Sequence, residues 1–87
     1  MSKVAKPYTN PKTGETSTLY YNDEGKPYLV ERVTADGEDA VHTGIWTEGS
    51  YLADYDGVNC LHEDTAKVLR LNGIRVPKDE FETVGKA

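Results

Sequence analysis

Up to Asp56 the apolar positions of this chain recur with the period of two that places alternate side chains on opposite faces of a strand; beyond Gly57 the period changes to about 3.6, that of a helix. Thr16 to Tyr21 (TSTLYY) and Tyr28 to Thr34 (YLVERVT) are rich in β-branched and aromatic residues and predict two strands. Ala40 to Thr47 and Ser50 to Asp56 predict two more. A short strand around Lys6 to Thr9 is limited to a sheet edge by Pro7, which has no N–H to give to a ladder. Turn signals separate these segments at Asn10 to Gly14, Asn22 to Gly25, Asp36-Gly37 and Glu48-Gly49. Their glycines lie eleven, twelve and twelve residues apart, the interval of strand-plus-turn units in an antiparallel meander.

From Leu61 to Asn72 the pattern predicts one helix, with Leu61, Thr65, Val68, Leu69 and Leu71 on one side and Glu63, Lys67 and Arg70 on the other. Asn59 and His62 are the N-cap candidates, and Glu63 and Asp64 put acids in the first turn, where the helix dipole favours them. Gly73 suits a left-handed stop with Ile74 touching Leu69, and Pro77 prevents a restart. Ile74 to Val76 could add a short strand. The fold class is therefore α+β: a four- to five-stranded antiparallel meander, open or curled into a half-barrel, with a C-terminal helix packed on one face. The chain reads as a single domain, 1–87, with a loose N-terminal arm at 1–6 and a polar C-terminal tail at 78–87 in which Phe81 is the one apolar candidate for docking.

The hairpin formed by the third and fourth strands needs a register. A two-residue turn at Glu48-Gly49 pairs Trp46 with Tyr51, Gly44 with Ala53 and His42 with Tyr55 on one face, and Ile45 with Leu52, Thr43 with Asp54 and Val41 with Asp56 on the other. A longer loop with Gly49 left-handed and a bulge would shift that pairing by one. Composition then assigns the faces. Leu, Ile, Val and Phe number 17 of 87 residues, so the six Tyr and one Trp are needed to fill a small core. On that argument the face of Trp46, Tyr51 and Tyr55 is the one expected beneath the helix.

Charge changes the picture again. Residues 33–66 contain eight Asp or Glu and no Lys or Arg, within a net charge of −5. An acidic block of this kind disfavours direct nucleic-acid binding, which needs clustered cations along a phosphate backbone, and favours a basic partner. One cysteine excludes an internal disulfide, the apolar runs are too short to span a membrane, and the N-terminal residues lack the apolar stretch of a secretory signal, so a cytoplasmic location is expected.

No motif calls for chemistry. Cys60-x-His62 is not a structural zinc spacing, and Asp54-Tyr55-Asp56-Gly57 places its glycine too early for a calcium-binding loop. Cys60 before a helix reads as a small apolar residue, Asp54 and Asp56 as solvated acids, and no glycine-rich phosphate loop is present. The expectation is a non-enzyme with no catalytic, cofactor or metal residues. The function expected is a small acidic protein-binding module, an inhibitor or regulator of phage or mobile-element accessory type, that docks on a basic, nucleic-acid-binding surface of a larger protein by charge mimicry. Its partner-binding residues would be Asp36, Glu38, Asp39, Glu48, Tyr51, Asp54, Tyr55 and Asp56. The alternatives are an assembly subunit that works as a homodimer or larger homo-oligomer and a weak single-stranded nucleic-acid binder that stacks bases on surface tyrosines.

Overall fold

A computed structural model describes residues 5–56 and 61–76. Five strands, β1 (Tyr8–Thr9), β2 (Thr16–Tyr21), β3 (Pro27–Val33), β4 (Ala40–Glu48) and β5 (Tyr51–Tyr55), lie side by side in sequence order, each antiparallel to the next, and α1 (Glu63–Leu71) follows. The sheet is an open meander, not a closed barrel, and the α+β architecture is the one that the alternation predicts. Each predicted turn glycine, Gly14, Gly25, Gly37 and Gly49, has positive φ. β1 is the two-residue edge that Pro7 allows.

One face of the sheet is closed. Ser17 and Leu19 of β2, Val30 of β3, Ile45 of β4 and Leu52 of β5 point to it and are buried, and Leu61, Ala66, Val68 and Leu69 at and along the helix join them, with Ile74 and Val76 beyond it. α1 packs on β1, β2 and β3. His62 is the N-cap, its Nδ1 accepting the Asp64 N–H at 3.0 Å; the other candidate, Asn59, lies outside the described residues. At the opposite end the Gly73 N–H donates to the Arg70 carbonyl and the Ile74 N–H to the Leu69 carbonyl, both at 3.0 Å, with Gly73 at φ 85°. That pair of bonds is the Schellman stop, and it needs a left-handed residue that only glycine adopts without steric cost.

Two helix positions depart from the expected stripe. Leu71 is 46% exposed, because Asn72 and not Leu71 continues the spacing of Thr65, Val68 and Leu69; the Asn72 side chain turns back on the helix, donating to the Val68 carbonyl. Asp64 is buried, held by the Asn10 side-chain amide of the β1–β2 turn at 2.9 Å. Lys6, at the end of the segment read as a loose arm, is tied to the helix C-cap: its N–H donates to Asn72 Oδ1 and its carbonyl accepts from Asn72 Nδ2. After α1 the chain returns to β5, where the Arg75 N–H donates to the Ser50 carbonyl and the Leu52 N–H to the Arg75 carbonyl in a parallel bridge. Ile74–Val76 thus occupies the outer edge of β5 and leaves fewer unpaired backbone groups there. The predicted tail at 78–87, with Phe81, lies outside the described residues.

Candidate functional site

The β4–β5 hairpin decides which side chains reach the open face. Its turn is Gly49-Ser50: Glu48 pairs with Tyr51 and Thr47 with Leu52, and a bulge then sets Trp46 opposite Asp54 and Ile45 opposite Tyr55. The extra residue, Ala53, reverses the phase of the strand, so Leu52 and Tyr55 share the covered face while Tyr51 and Asp54 share the open one. This corrects the expected two-residue register at Glu48-Gly49. It corrects the face assignment as well. Trp46 is 55% exposed and Tyr51 45%, whereas Ile45 and Leu52 are buried beneath the helix side. Aliphatic side chains close the core, and of the three aromatics only Tyr55 packs against it.

Following the pairing across the sheet, the open face carries Thr9, Thr16, Thr18 and Tyr20, then Leu29, Glu31 and Val33, then Ala40, His42, Gly44, Trp46 and Glu48, and finally Tyr51 and Asp54. None of these strand residues is Lys or Arg, and exposed Arg75 lies beside them, bridged to Tyr51 at the sheet edge. No described element packs on this face, since α1 lies on the other. Near its middle the Tyr20 hydroxyl donates to Glu31 Oε1 at 3.0 Å and His42 Nε2 lies 2.9 Å from Glu31 Oε2. The bond to Glu31 is the main reason that the Tyr20 phenol is held above its ordinary pKa. Beside this group the Trp46 ring and Asp56 flank Gly44, and Asp56 donates its N–H to the Gly44 carbonyl at 2.7 Å.

A cleft opens where the sheet splays. β3 and β4 pair from Leu29 with Gly44 to Val33 with Ala40, and beyond Gly44 the remainder of β4 pairs only with β5. A bulge between Tyr20 and Tyr21 leaves Tyr28 out of the ladder at the same end. The resulting cleft, about 410 Å³, is lined by Asn22, Lys26, Pro27, Tyr28, Trp46 and residues beside it. Tyr28 is exposed like Trp46. Neither Tyr28 nor Trp46 stood among the expected partner-binding residues; the signal available in the sequence was the aromatic content of these strand ends.

The expected residues fall into separate groups. Glu48, Tyr51, Asp54 and Asp56 lie with Trp46 at the splayed end, all exposed. Tyr55 sits on the covered side. Asp36, Glu38 and Asp39 occupy the β3–β4 turn at the other end of β4, a strand of nine residues, which is roughly 27 Å long at about 3.4 Å per residue. Asp36 also has a structural task there: its Oδ1 accepts from the Thr34 hydroxyl at 2.6 Å and from the Glu38 N–H at 3.0 Å. Those bonds, the hydroxyl first, hold its carboxyl below the usual range. Glu48, Asp54 and Asp56 make no ion pair with a cation among the described residues. Among the described residues one set of side chains converges as metal ligands do, Glu15, His62 and Asp64, on the opposite side of the molecule. No family model, curated protein or solved structure matches the chain.

Proposed function

We propose that the protein is a non-catalytic binding module whose open sheet face docks on a basic surface of a larger protein, in the manner of an inhibitor or regulator that occupies a nucleic-acid-binding site. The observation that carries this reading is the composition of that face: exposed Tyr20, Trp46 and Tyr51 beside Glu31, Glu48, Asp54 and Asp56, with no Lys or Arg at the outward positions of β1 to β5 and Arg75 only at the edge beside Tyr51. Aromatic rings anchor interfaces because they bury a large area with few rotors, and Glu48, Asp54 and Asp56, which make no ion pair among the described residues, attract cations without first having to leave an internal cation. The cleft between Tyr28 and Trp46, which Lys26 also lines, offers two exposed rings for an apolar or aromatic side chain of the partner, while the acids lie beside it on the sheet face. Because the β3–β4 turn is remote and Asp36 is engaged in it, the partner surface centres on Glu48, Tyr51, Asp54 and Asp56 together with Trp46. Asp36, Glu38 and Asp39 contribute to the long-range field and not to the contact.

The test is a capture experiment followed by purification of the retained protein and direct titration. Wild-type protein binds with affinity that falls as salt rises, and Trp46→Ala combined with Asp54→Lys abolishes binding. A Lys67→Ala control, on the exposed side of α1 across the sheet, leaves it unchanged. Retention of the same partner by the double variant at unchanged salt dependence would refute the reading. The exposed aromatics also favour a second reading, base stacking, and quenching of Trp46 fluorescence by a single-stranded oligonucleotide at low salt is the result that would support it.

A further inference from the structure

Two distant parts of the chain bring three ligand-bearing side chains together at the start of α1. Glu15 follows the β1–β2 turn, His62 caps the helix and Asp64 lies in its first turn; a ligand atom from each falls within 4.8 Å of the other two. The fold builds this meeting point, since Asn10 of the same turn donates its side-chain amide to Asp64 Oδ1 at 2.9 Å. The second observation concerns the other oxygen. Asp64 is 1% exposed, and its Oδ2 has no hydrogen-bond partner among the described residues. A buried carboxylate oxygen with nothing upon it is costly, and a bound cation is one of the few ligands that removes the cost. We propose that Glu15, His62 and Asp64 form a binding site for a divalent transition-metal ion of the zinc or manganese class.

The donor set determines that class. Two carboxylate oxygens and one imidazole nitrogen suit borderline metals, which accept both donor types; magnesium and calcium sites are built from oxygen alone. The net charge is favourable too, because two carboxylates outweigh the single guanidinium of Arg32, whose Nη1 lies 3.8 Å from Glu15 Oε2. Two existing interactions compete. Arg32 holds part of Glu15, and the lone pair of His62 Nδ1 accepts the Asp64 N–H. A neutral imidazole has one lone pair, so ligation through either nitrogen ends that capping bond: binding through Nε2 places the proton on Nδ1. Metal binding therefore exchanges the helix cap for a metal–nitrogen bond, and the Asp64 amide reports the exchange.

The experiment is carried out on the full chain with Cys60→Ser, which removes the thiol as a rival ligand. Zn²⁺ is titrated by calorimetry, and Mn²⁺ is added to ¹⁵N-labelled protein. One ion binds per chain, Mn²⁺ first broadens the amide signals of Glu15, Asp64 and Thr65, and Zn²⁺ shifts the Asp64 amide. Asp64→Asn and Glu15→Gln each lower the affinity by about tenfold or more, as loss of an ion's supporting groups does. Glu15→Gln keeps the buried carboxylate in place, so it decides the matter if Asp64→Asn does not fold. Absence of saturable binding, broadening centred on Glu31 and His42, or an affinity unchanged by Glu15→Gln would each overturn the assignment.

Discussion

The two faces of the sheet come from the same strands and the same alternation, yet α1 covers one with aliphatic side chains while the other turns aromatic rings and carboxylates to solvent. Val30, Ile45 and Leu52 share one buried core with Leu61, Val68 and Leu69; Tyr20, Trp46 and Tyr51 are exposed. Both faces carry apolar groups. They differ in what surrounds the apolar groups. On the open face Glu31, Glu48 and Asp54 alternate with the rings, and a helix laid there would have to bury those charges, of which Glu48 and Asp54 have no ion-pair partner among the described residues. On the covered face the buried polar atoms without a partner among the described residues are Asp64 Oδ2, Arg32 Nε and the hydroxyls of Ser17 and Thr65, and Arg32 still reaches Glu15. A ring's area alone therefore does not place it in a core; the charges of its neighbours on the same face do.

Truncation separates the faces most sharply. Leu69→Ala removes a fully buried side chain and is expected to cost about 2–5 kcal/mol in denaturant unfolding, close to the whole stability of so small a domain. Trp46→Ala deletes a larger side chain and is expected to cost under about 1 kcal/mol. Equal losses would mean that the open face is structural.

Smaller effects sharpen the same comparison at its polar contacts. Asn10→Ala removes the amide that holds buried Asp64 and leaves that carboxylate without its donor, a loss of about 1–3 kcal/mol. Gly14→Ala, in the same turn, has to fit a methyl group 2.8 Å from the Ala35 Cβ at φ 78° and is expected to cost a similar amount, about 1–3 kcal/mol, read as a fall in the denaturation midpoint. The smallest effect is that of pH on the β3–β4 turn. Asp36 has a lowered folded pKa, so its contribution is present in full above the unfolded carboxylate value and is lost as the pH falls through the folded one. Hydrogen exchange of the Glu38 amide is therefore expected to quicken, relative to neighbouring turn amides, only in the acid range below about pH 4; no such change would show that the Thr34 and Glu38 bonds do not hold the ionised form.

Much of this architecture was legible in local pattern. The turn glycines, the strand periods, the helix and its stop at Gly73 follow from residue types whose backbone preferences act over a few positions. The assignment of faces did not follow, for a physical reason. A bulge at Ala53 exchanges the sides of Asp54 and Tyr55, and one inserted residue is invisible to an alternation that reads correctly on either side of it. Composition then pointed to the aromatics as core, because seventeen aliphatic and Phe residues look too few; the helix supplies enough of them at one stripe to close its side without Trp46. The meeting of Glu15 with His62 and Asp64 was hidden more deeply, since only the packing of the β1–β2 turn on the helix start joins them.

The open aromatic and acidic face is the proposed place of contact, and one measurement addresses that directly: hydrogen exchange, or amide chemical shifts, of the labelled protein with and without its purified partner. Protection confined to Tyr20, Glu31 and the strand segment from Trp46 to Asp54 is the predicted result, with Val68 and Leu69 unaltered. Protection centred on the exposed side of α1, at Lys67, Arg70 and Leu71, with the sheet face unchanged, would contradict it.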